Sequence, residues 1–583
     1  MADEEEVIMT PTKKGKATHI RIERKRKLNM SGTEEQRHHV AGGEHKGLVI
    51  NKSSQGDDEE DLGKPQVQLG FNCFMVDTKT GNHVVESRKL KFWYVDSADY
   101  LDQVTTGFNF FRELLKPENF PKDYVGFIRK CMKQMQKPEY SMARKINLEI
   151  QLLDDEATPM DPASPELENG YGITKQDLRP WEEIVREKLL HVLESAYPNI
   201  LSVEDLIRIV DAEESVVMEQ LEELRRKDLI RQLDSGGFVR HVLDVKTEVQ
   251  EVKQMMTVSA NQQPTIAIIT ANYCEKLAVD AMMENKTTYV KFKTGGESNA
   301  YTIGYIGEHK CVSTKLPMIG HDRSAQISSG NTTTRLLGTF QAVEHVFIVG
   351  VAGAVPHFTD YYKHPRLGDV MISDCSKGGN IYYYCDQILQ EKDGNILYQT
   401  KAFQPKDAFL QGVLEGIKEQ RLHRKFEPWR KYIRNGLELL ATQEADYNRP
   451  PPETDRLTMM IGEGNVLEMQ HPHHPEGIDE REGFPKIHYG VFGAGKRFSK
   501  ADDLRLDFAG RYNVNSFDSE FDQVLAGVVG SVKESFMFIR GMADYSDGMQ
   551  KQEWQPYAAL AAAAVMKSMI LSFKGPYISE DEM

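Results

Sequence analysis

The run FMFIRGMADYSDGMQKQEWQPYAALAAAAVM, from Phe536 to Met566, constrains the fold more than any other stretch. Phe536 to Ile539 is the short apolar run that a fully buried strand needs. It stops at Arg540-Gly541, and a polar segment with two carboxylates, Asp544 and Asp547, follows. Beyond Trp554 and Pro556 the chain enters an alanine-rich run of strong helix propensity. A buried strand, a carboxylate at its end and a helix after it is how open α/β sheets present reactive groups at the carboxyl ends of their strands. The competing reading makes Asp544 and Asp547 helix-capping or solvated turn residues.

With 583 residues the chain exceeds one hydrophobic core, and roughly three or four domains are expected. Its formal charge of -16 argues against broad nucleic-acid or membrane-surface binding, because an acidic surface repels a polyanion. The six cysteines form no CxxC pair, so neither a zinc site nor a disulfide framework follows. A reducing, cytoplasmic setting is the natural inference. The start MADEEEVIM lacks the apolar core of a secretory signal, and no apolar run approaches membrane-spanning length.

Residues 1–65 are polar, charged and nearly free of aromatics, and read as a disordered tail. Within it Lys13, Lys14, Lys16, Arg21, Arg24, Lys25, Arg26 and Lys27 form a basic cluster. It reads as a solvated charge run or as a nuclear-import signal, which keeps a nuclear location open. Residues 66–157 alternate strand-like and helical patterns and predict a small α+β interaction domain, followed by a proline-rich linker over Thr158–Glu168. Residues 178–241 give three helical patterns and a short hairpin, the order of a winged helix, with Ser202 as an N-cap. Its third helix, EESVVMEQLEELRRK, is acidic where a DNA reader carries Lys or Arg. Across 181–241 there are 14 Asp and Glu against 8 Lys and Arg, so a protein partner through residues 66–241 is expected rather than DNA. Residues 242–263 read as a helical linker.

From Pro264 to residue 577 apolar strands alternate with helical stretches. Thr265–Thr270 opens into a helix, Val346–Val351 ends at Gly350-Val-Ala-Gly353, and Lys486–Phe492 and Phe536–Ile539 are later strands. A sheet with loops converging at its strand ends predicts a pocket there.

Several motifs in this region occur in one order: VGVAGAVP, RLGDVMISD, RPPPETDRL at 449–457, IHYG at 487–490, Gly495-Lys-Arg-Phe498, and DYSD followed by EWQPYAALAAAA. Together they resemble the nucleoside phosphorylase and nucleosidase superfamily. The likeness is closest to the nucleosidase domains attached to immune receptor and effector proteins in fungi, bacteria and invertebrates. It covers about residues 265–575, with a divergent insert near 378–445. The resemblance implies an α/β fold: a nucleoside-phosphorylase-like mixed sheet with flanking helices, preceded by the winged-helix-like and small α+β domains. It implies a homo-oligomer, no cofactor, and hydrolysis of the N-glycosidic bond of a purine nucleoside or nucleotide, with ATP or another adenine nucleotide a candidate substrate.

Such a reaction needs an acid for the departing purine, stabilisation of a cationic ribose and a nucleophile on the far face. By the resemblance Asp544 protonates the base and Glu275 activates water. Phosphorylases carry an Asp-Pro-x-Arg-like clamp near the latter position; the arginine-free NYCEK favours hydrolysis. Glu275 read from its position alone is an acid at a helix N-terminus. Glu520 resembles the glutamate that grips the ribose hydroxyls, with Ser519 before it, and Phe498 resembles the aromatic that stacks on the purine. Gly350 and Gly353 let the backbone approach the nucleoside. Lys315, His321, Arg323, Lys363, His364 and Arg366 are candidates to converge on a 5′ phosphate. The His471-Pro-His-His474 cluster reads as a flexible loop rather than a metal site. Ser519, Ala543 and Val351 depart from the family pattern. They motivate an alternative, a catalytically weak nucleotide-binding regulator or adaptor with the winged helix as its working part.

Overall fold

The computed structural model describes residues 5–14, 17–26, 38–40, 49–51, 64–76, 83–116, 120–121, 124–153, 180–241, 248–252, 262–293, 298–317, 323–375, 379–390, 396–424, 427–460, 466–472, 483–495, 502–545 and 552–574. The proposed linker at Thr158–Glu168 lies outside them. The chain forms two compact units.

The first unit comprises residues 1–162, 356–364 and 453–480. Its strands are β1 (Glu5–Lys14), β2 (Ala17–Arg26), β3 (His38–Val40), β4 (Val49–Asn51), β5 (Val67–Val76), β6 (His83–Tyr94) and β7 (Ala143–Leu153). A hairpin, Leu457–Met460 with Val466–Met469, joins the sheet beside β5. Helices α1 (Tyr100–Leu114) and α2 (Tyr124–Met135) supply aromatic packing: Phe111 and Phe127 lie 5.8 and 6.0 Å from Phe71 between ring centres. The inserted segment 356–364 packs on α1, with Phe358 5.6 Å from Phe111 and Thr359 Oγ1 donating to the Val104 carbonyl at 2.8 Å.

The disordered-tail reading of residues 1–65 is corrected at 5–14, 17–26, 38–40 and 49–51, which are strands. β1 and β2 pair antiparallel, and β2 pairs with β7. Val7, Ile8, Ile20 and Ile22 are buried, and charged residues alternate with the two isoleucines of β2, the pattern of a strand with one face covered. Arg24 of the basic cluster is not a solvated charge. Its guanidinium donates to the carbonyls of Met135 and Tyr140 and lies 3.6 Å from Glu5. The stretch from His83 to Tyr94 is one continuous strand, β6.

The second unit comprises residues 163–355, 365–452 and 481–583. It opens with α3 (Trp181–Ala196), α4 (Val203–Val210), α5 (Glu214–Arg226), β8 (Ile230–Gln232) and β9 (Phe238–Arg240), three helices and a hairpin as expected. Ser202 caps α4, accepting from the Asp205 amide at 3.1 Å. Leu189, Leu193, Leu206, Val217 and Leu221 form a core of their own.

The remaining elements are β10 (Glu248–Glu251), β11 (Ile266–Thr270), α6 (Tyr273–Ala281), β12 (Glu284–Lys291), β13 (Asn299–Ile306), β14 (His309–Lys315), α7 (Arg323–Thr339), β15 (His345–Ala354), β16 (Val370–Ser373), β17 (Tyr382–Gln390), β18 (Ile396–Phe403), α8 (Phe409–Arg424), α9 (Trp429–Leu440), β19 (Ile487–Ala494), α10 (Asp502–Tyr512), β20 (Val514–Phe517), α11 (Asp522–Gly530), β21 (Ser535–Asp544) and α12 (Gln555–Leu571). The sheet order is β10-β12-β13-β14-β11-β15-β21-β16-β19-β17-β18, with β20 pairing β15 and β19. β14, β11, β15 and β21 run parallel, so their carboxyl ends share one edge. Within the expected helical linker, Glu248–Glu251 is a strand, paired parallel to β12. Segments 356–364 and 453–480 leave the expected 264–577 domain for the first unit.

The alanine-rich run is α12. Ala558 to Ala564 are all buried, because a helix that is apolar all round has no face for solvent. Its small side chains let it approach β21 closely: a Cβ on Gly541 would stand 2.0 Å from the Ala558 carbonyl oxygen.

Candidate functional site

The apolar sequence of β11 buries the strand, and Asn272 begins the helix that follows. Glu275 stands in the first turn of α6, only 1% exposed, and its side chain folds back onto the β11–α6 turn. Oε2 accepts from the amides of Ala271 at 2.7 Å and Asn272 at 2.9 Å. Oε1 accepts from the Val351 amide on β15 at 2.8 Å. The reading of Glu275 as an acid at a helix N-terminus matches this geometry. Gly350 makes it possible, since a Cβ there would lie 2.2 Å from the Glu275 carboxyl carbon.

Arg540 stands opposite Gly350 in the β15–β21 register. Its Nη2 donates to Asp518 Oδ1 at 2.7 Å and lies 3.9 Å from Glu275 Oε1. The guanidinium also lies over the Phe521 ring, 5.0 Å from its centre. Burial opposes its charge, but Asp518 and Glu275 outweigh that, and its pKa is raised. Burial pushes the Asp518 carboxyl up to about 6, against the pull of Arg540 and the Ser519 amide. Arg540 Nε and Nη1 and Asp518 Oδ2 are buried and meet no hydrogen-bond partner among the described residues. Buried donors of this kind are normally satisfied by water or a ligand.

The Ser519–Phe521 stretch is fixed by Tyr382 of β17. Its hydroxyl donates to the Ser519 carbonyl and accepts from the Phe521 amide, both at 2.9 Å. Glu520, half-buried, is carried on this stretch two residues after Asp518. Asp544 is the last residue of β21, paired with Gly353 of β15. Gly353 in turn pairs with Phe517 of β20, and its carbonyl accepts from Ser516 Oγ at 2.9 Å. Glu275, Gly350, Gly353, Ser519, Glu520 and Asp544 are thus carried by neighbouring strand ends and the turns that leave them.

Phe498, Asp547 and His321 lie outside the described residues, and so does the side chain of Arg323, which opens α7. The set of six cations for a 5′ phosphate needs correction. The Lys315 ammonium is buried and donates to the carbonyls of Ser195, Tyr197 and Leu316, leaving its charge occupied. Lys363 and His364 belong to the first unit, where Lys363 lies 3.4 Å from Asp360 and His364 Nε2 meets His471 Nδ1 at 2.9 Å. His471 also meets the Asp455 carbonyl at 2.7 Å, so it is anchored rather than in a flexible loop; His473 and His474 lie outside the described residues. Among the described residues no group of three His, Cys, Asp or Glu is placed to hold a metal.

Arg540 and Asp518 were missed from the sequence. The signal was a charge inside the apolar run FMFIRGMA: an arginine in a buried strand requires a carboxylate partner.

Residues 175–242 match the family described as a winged helix-turn-helix domain. A nucleotide-binding leucine-rich repeat (NLR)-like protein of Hyaloscypha variabilis is 26% identical over 320 residues, which is 53% of this chain and 29% of that protein. The chain therefore spans under a third of the relative's length. Among solved structures, the 5′-methylthioadenosine/S-adenosylhomocysteine nucleosidase of Neisseria meningitidis is 15% identical, covering 53% of this chain and 99% of that one at a TM-score of 0.32. Futalosine hydrolase of Helicobacter pylori is 14% identical, covering 53% and 98% at 0.33.

Proposed function

We propose that the second unit hydrolyses the N-glycosidic bond of a purine nucleoside or nucleotide. One observation carries this reading: the buried Glu275–Arg540–Asp518 cluster, next to the strand end that carries Asp544. Glu275 takes a proton from a water molecule whose oxygen bonds to C1′ of the ribose. The bond from C1′ to the purine nitrogen breaks, and Asp544 delivers a proton to the departing base. Arg540 holds the attacking water through donors that meet no partner among the described residues and keeps the negative charge of Glu275 close to the cationic sugar. Glu520 accepts from the ribose hydroxyls. Val351 serves Glu275 through its backbone amide, so the departure of its side chain from the family pattern leaves that bond intact. The NLR-like name of the relative supports an effector setting. We propose for that setting that residues 66–241 meet a protein partner and that the chain self-associates.

The test is incubation of the purified protein with ATP, AMP, adenosine and methylthioadenosine without phosphate, with free base followed by chromatography. Release is expected from at least one of them. Asp544→Asn is expected to lower it by about 10²–10⁴-fold, the usual contribution of a general acid. Base release that persists at the wild-type rate in this variant would remove Asp544 from the mechanism.

The raised Asp518 predicts a pH dependence. Above about 6 the carboxylate is ionised and orients Arg540; below it the ion pair is lost. Base release is expected to fall as pH drops through about 6, and Asp518→Asn is expected to be slower at neutral pH and to lack that acid limb. A limb unchanged in the variant would assign it to another group.

A further inference from the structure

The winged-helix fold invites a search for a DNA or peptide ligand, but its buried contacts point the other way, into the nucleosidase-like sheet. Arg240, the last residue of β9, is 2% exposed. Its Nε donates to Glu194 of α3 at 3.1 Å and its Nη2 to Glu444, just beyond α9, at 2.6 Å. Nη1 donates to the carbonyls of Leu229 and His241. The guanidinium carbon lies 5.0 Å from the ring centre of Tyr273. Tyr197, which follows α3, meets the same ring edge-on at 5.7 Å. Tyr273 is the first residue of α6, two before Glu275. Tyr447 closes the arrangement, its hydroxyl donating to the Cys274 carbonyl at 2.8 Å. Lys315, at the end of β14, fastens the carboxyl end of α3 through the Ser195 and Tyr197 carbonyls, where a helix favours a cation.

The β11–α6 turn therefore has two faces. On one, Glu275 gathers the amides of Ala271, Asn272 and Val351 and lies near Arg540. On the other, Tyr273 and the Cys274 carbonyl are held by Arg240, Tyr197 and Tyr447. A carboxylate that must meet water within hydrogen-bond reach tolerates little movement, since a displacement of about 1 Å can cost about 10²-fold in rate.

We propose that Arg240 is a positioning residue for Glu275, so that the winged helix acts as a clamp on the catalytic turn. This rests on the nucleosidase reading for its effect on rate, but not for its effect on the turn. The same geometry gives the module a use that its acidic α5 does not oppose, as DNA binding would be opposed.

The test uses the full chain with Arg240→Met and Arg240→Lys, read by base release and by amide hydrogen exchange. Arg240→Met is expected to lower kcat about ten- to a hundredfold with KM within about twofold. The amides of Ala271, Asn272 and Val351, which Glu275 engages, are expected to exchange at least tenfold faster, while those inside α3 and α5 keep their protection. Arg240→Lys, which keeps the charge but not the planar fork, is expected to fall between. Wild-type kcat and exchange in Arg240→Met would overturn the proposal. Loss of protection throughout α3 and α5 would also overturn it, because the residue would then serve only the stability of its own domain. If the wild-type protein releases no base, the nucleosidase reading fails, and the exchange at Ala271, Asn272 and Val351 still decides whether Arg240 holds the turn.

Discussion

Replacing Glu275 by glutamine is expected to slow base release by at least about 10²-fold and to lower the melting temperature of the second unit as well. Glutamine is the usual isosteric control for a catalytic glutamate, but here it is not neutral for folding. Both carboxylate oxygens accept from backbone amides, Oε2 from Ala271 and Asn272 and Oε1 from Val351. Glutamine keeps one acceptor and turns an NH₂ group toward a donor. Whichever way it flips, at least one buried amide loses its partner, at about 1–3 kcal/mol each. The β11–α6 turn or its contact with β15 must then open. Loss of the base adds about 10²–10⁴-fold in rate. Glu275→Asp separates the two effects: it keeps the charge and two acceptors but is one methylene short of Val351. It is expected to melt between wild type and Glu275→Gln. Calorimetric melting beside the chromatographic assay reads both quantities. Full activity in Glu275→Gln would remove Glu275 from the chemistry, and an unchanged melting temperature would contradict the hydrogen-bond geometry.

Much of the second unit is legible because its signals are local. Phe536–Ile539 is apolar over the whole run, so a buried strand follows, and seven consecutive residues from Ala558 can only pack as a buried helix. Ser202 before VEDLIRIV caps a helix, as its spacing predicts. Glu275 illustrates a limit of position alone. An acid at a helix N-terminus is ordinary, and only the approach of β15 through Gly350 and of Arg540 through β21 distinguishes this one. Those neighbours are distant in sequence, 75 residues away or more.

The first unit was harder to read for two physical reasons. Composition averaged over residues 1–65 hides strands such as β2, where the buried Ile20 and Ile22 are spaced by charged residues on the other face. Averages report disorder where period-two alternation reports a strand. The unit is also assembled from three separated segments. Nothing in RPPPETDRL announces that Leu457 begins the outer strand of a hairpin whose second strand, Val466–Met469, pairs with β5, since strand pairing is specified by a shared apolar face and not by proximity in sequence. Glu248–Glu251 shows the same effect on a small scale: its spacing fits a helix, and the free edge of β12 makes it a strand.

Arg540→Met is expected to destabilise the second unit by about 3–5 kcal/mol, the usual result of removing one partner from a buried ion pair. Methionine fills similar volume without the charge, so the loss is electrostatic more than steric. The two carboxylates near Arg540 do not suffer equally. Among the described residues Glu275 retains three amide donors, whereas Asp518 retains only the Ser519 amide at 2.7 Å. The orphaned charge is therefore that of Asp518, and Asp518→Asn in the same chain is expected to recover about 0.5–3 kcal/mol, the range of coupling between contacting groups. The sign with pH follows from the direction of the shift. Burial raises the Asp518 carboxyl to about 6 even with Arg540 present, and without the guanidinium it rises further. A carboxyl raised above its unfolded value of 3.8 favours the fold when protonated, and that contribution is lost as pH rises through the folded value. Arg540→Met should thus cost least near pH 5, where Asp518 is protonated in the folded chain, and most near pH 8. Denaturant midpoints of the wild type, both single variants and the double variant at these two pH values measure the coupling directly. Strict additivity, or a cost that does not grow with pH, would show that Arg540 is held by its packing on Phe521 and not by the carboxylate at 2.7 Å.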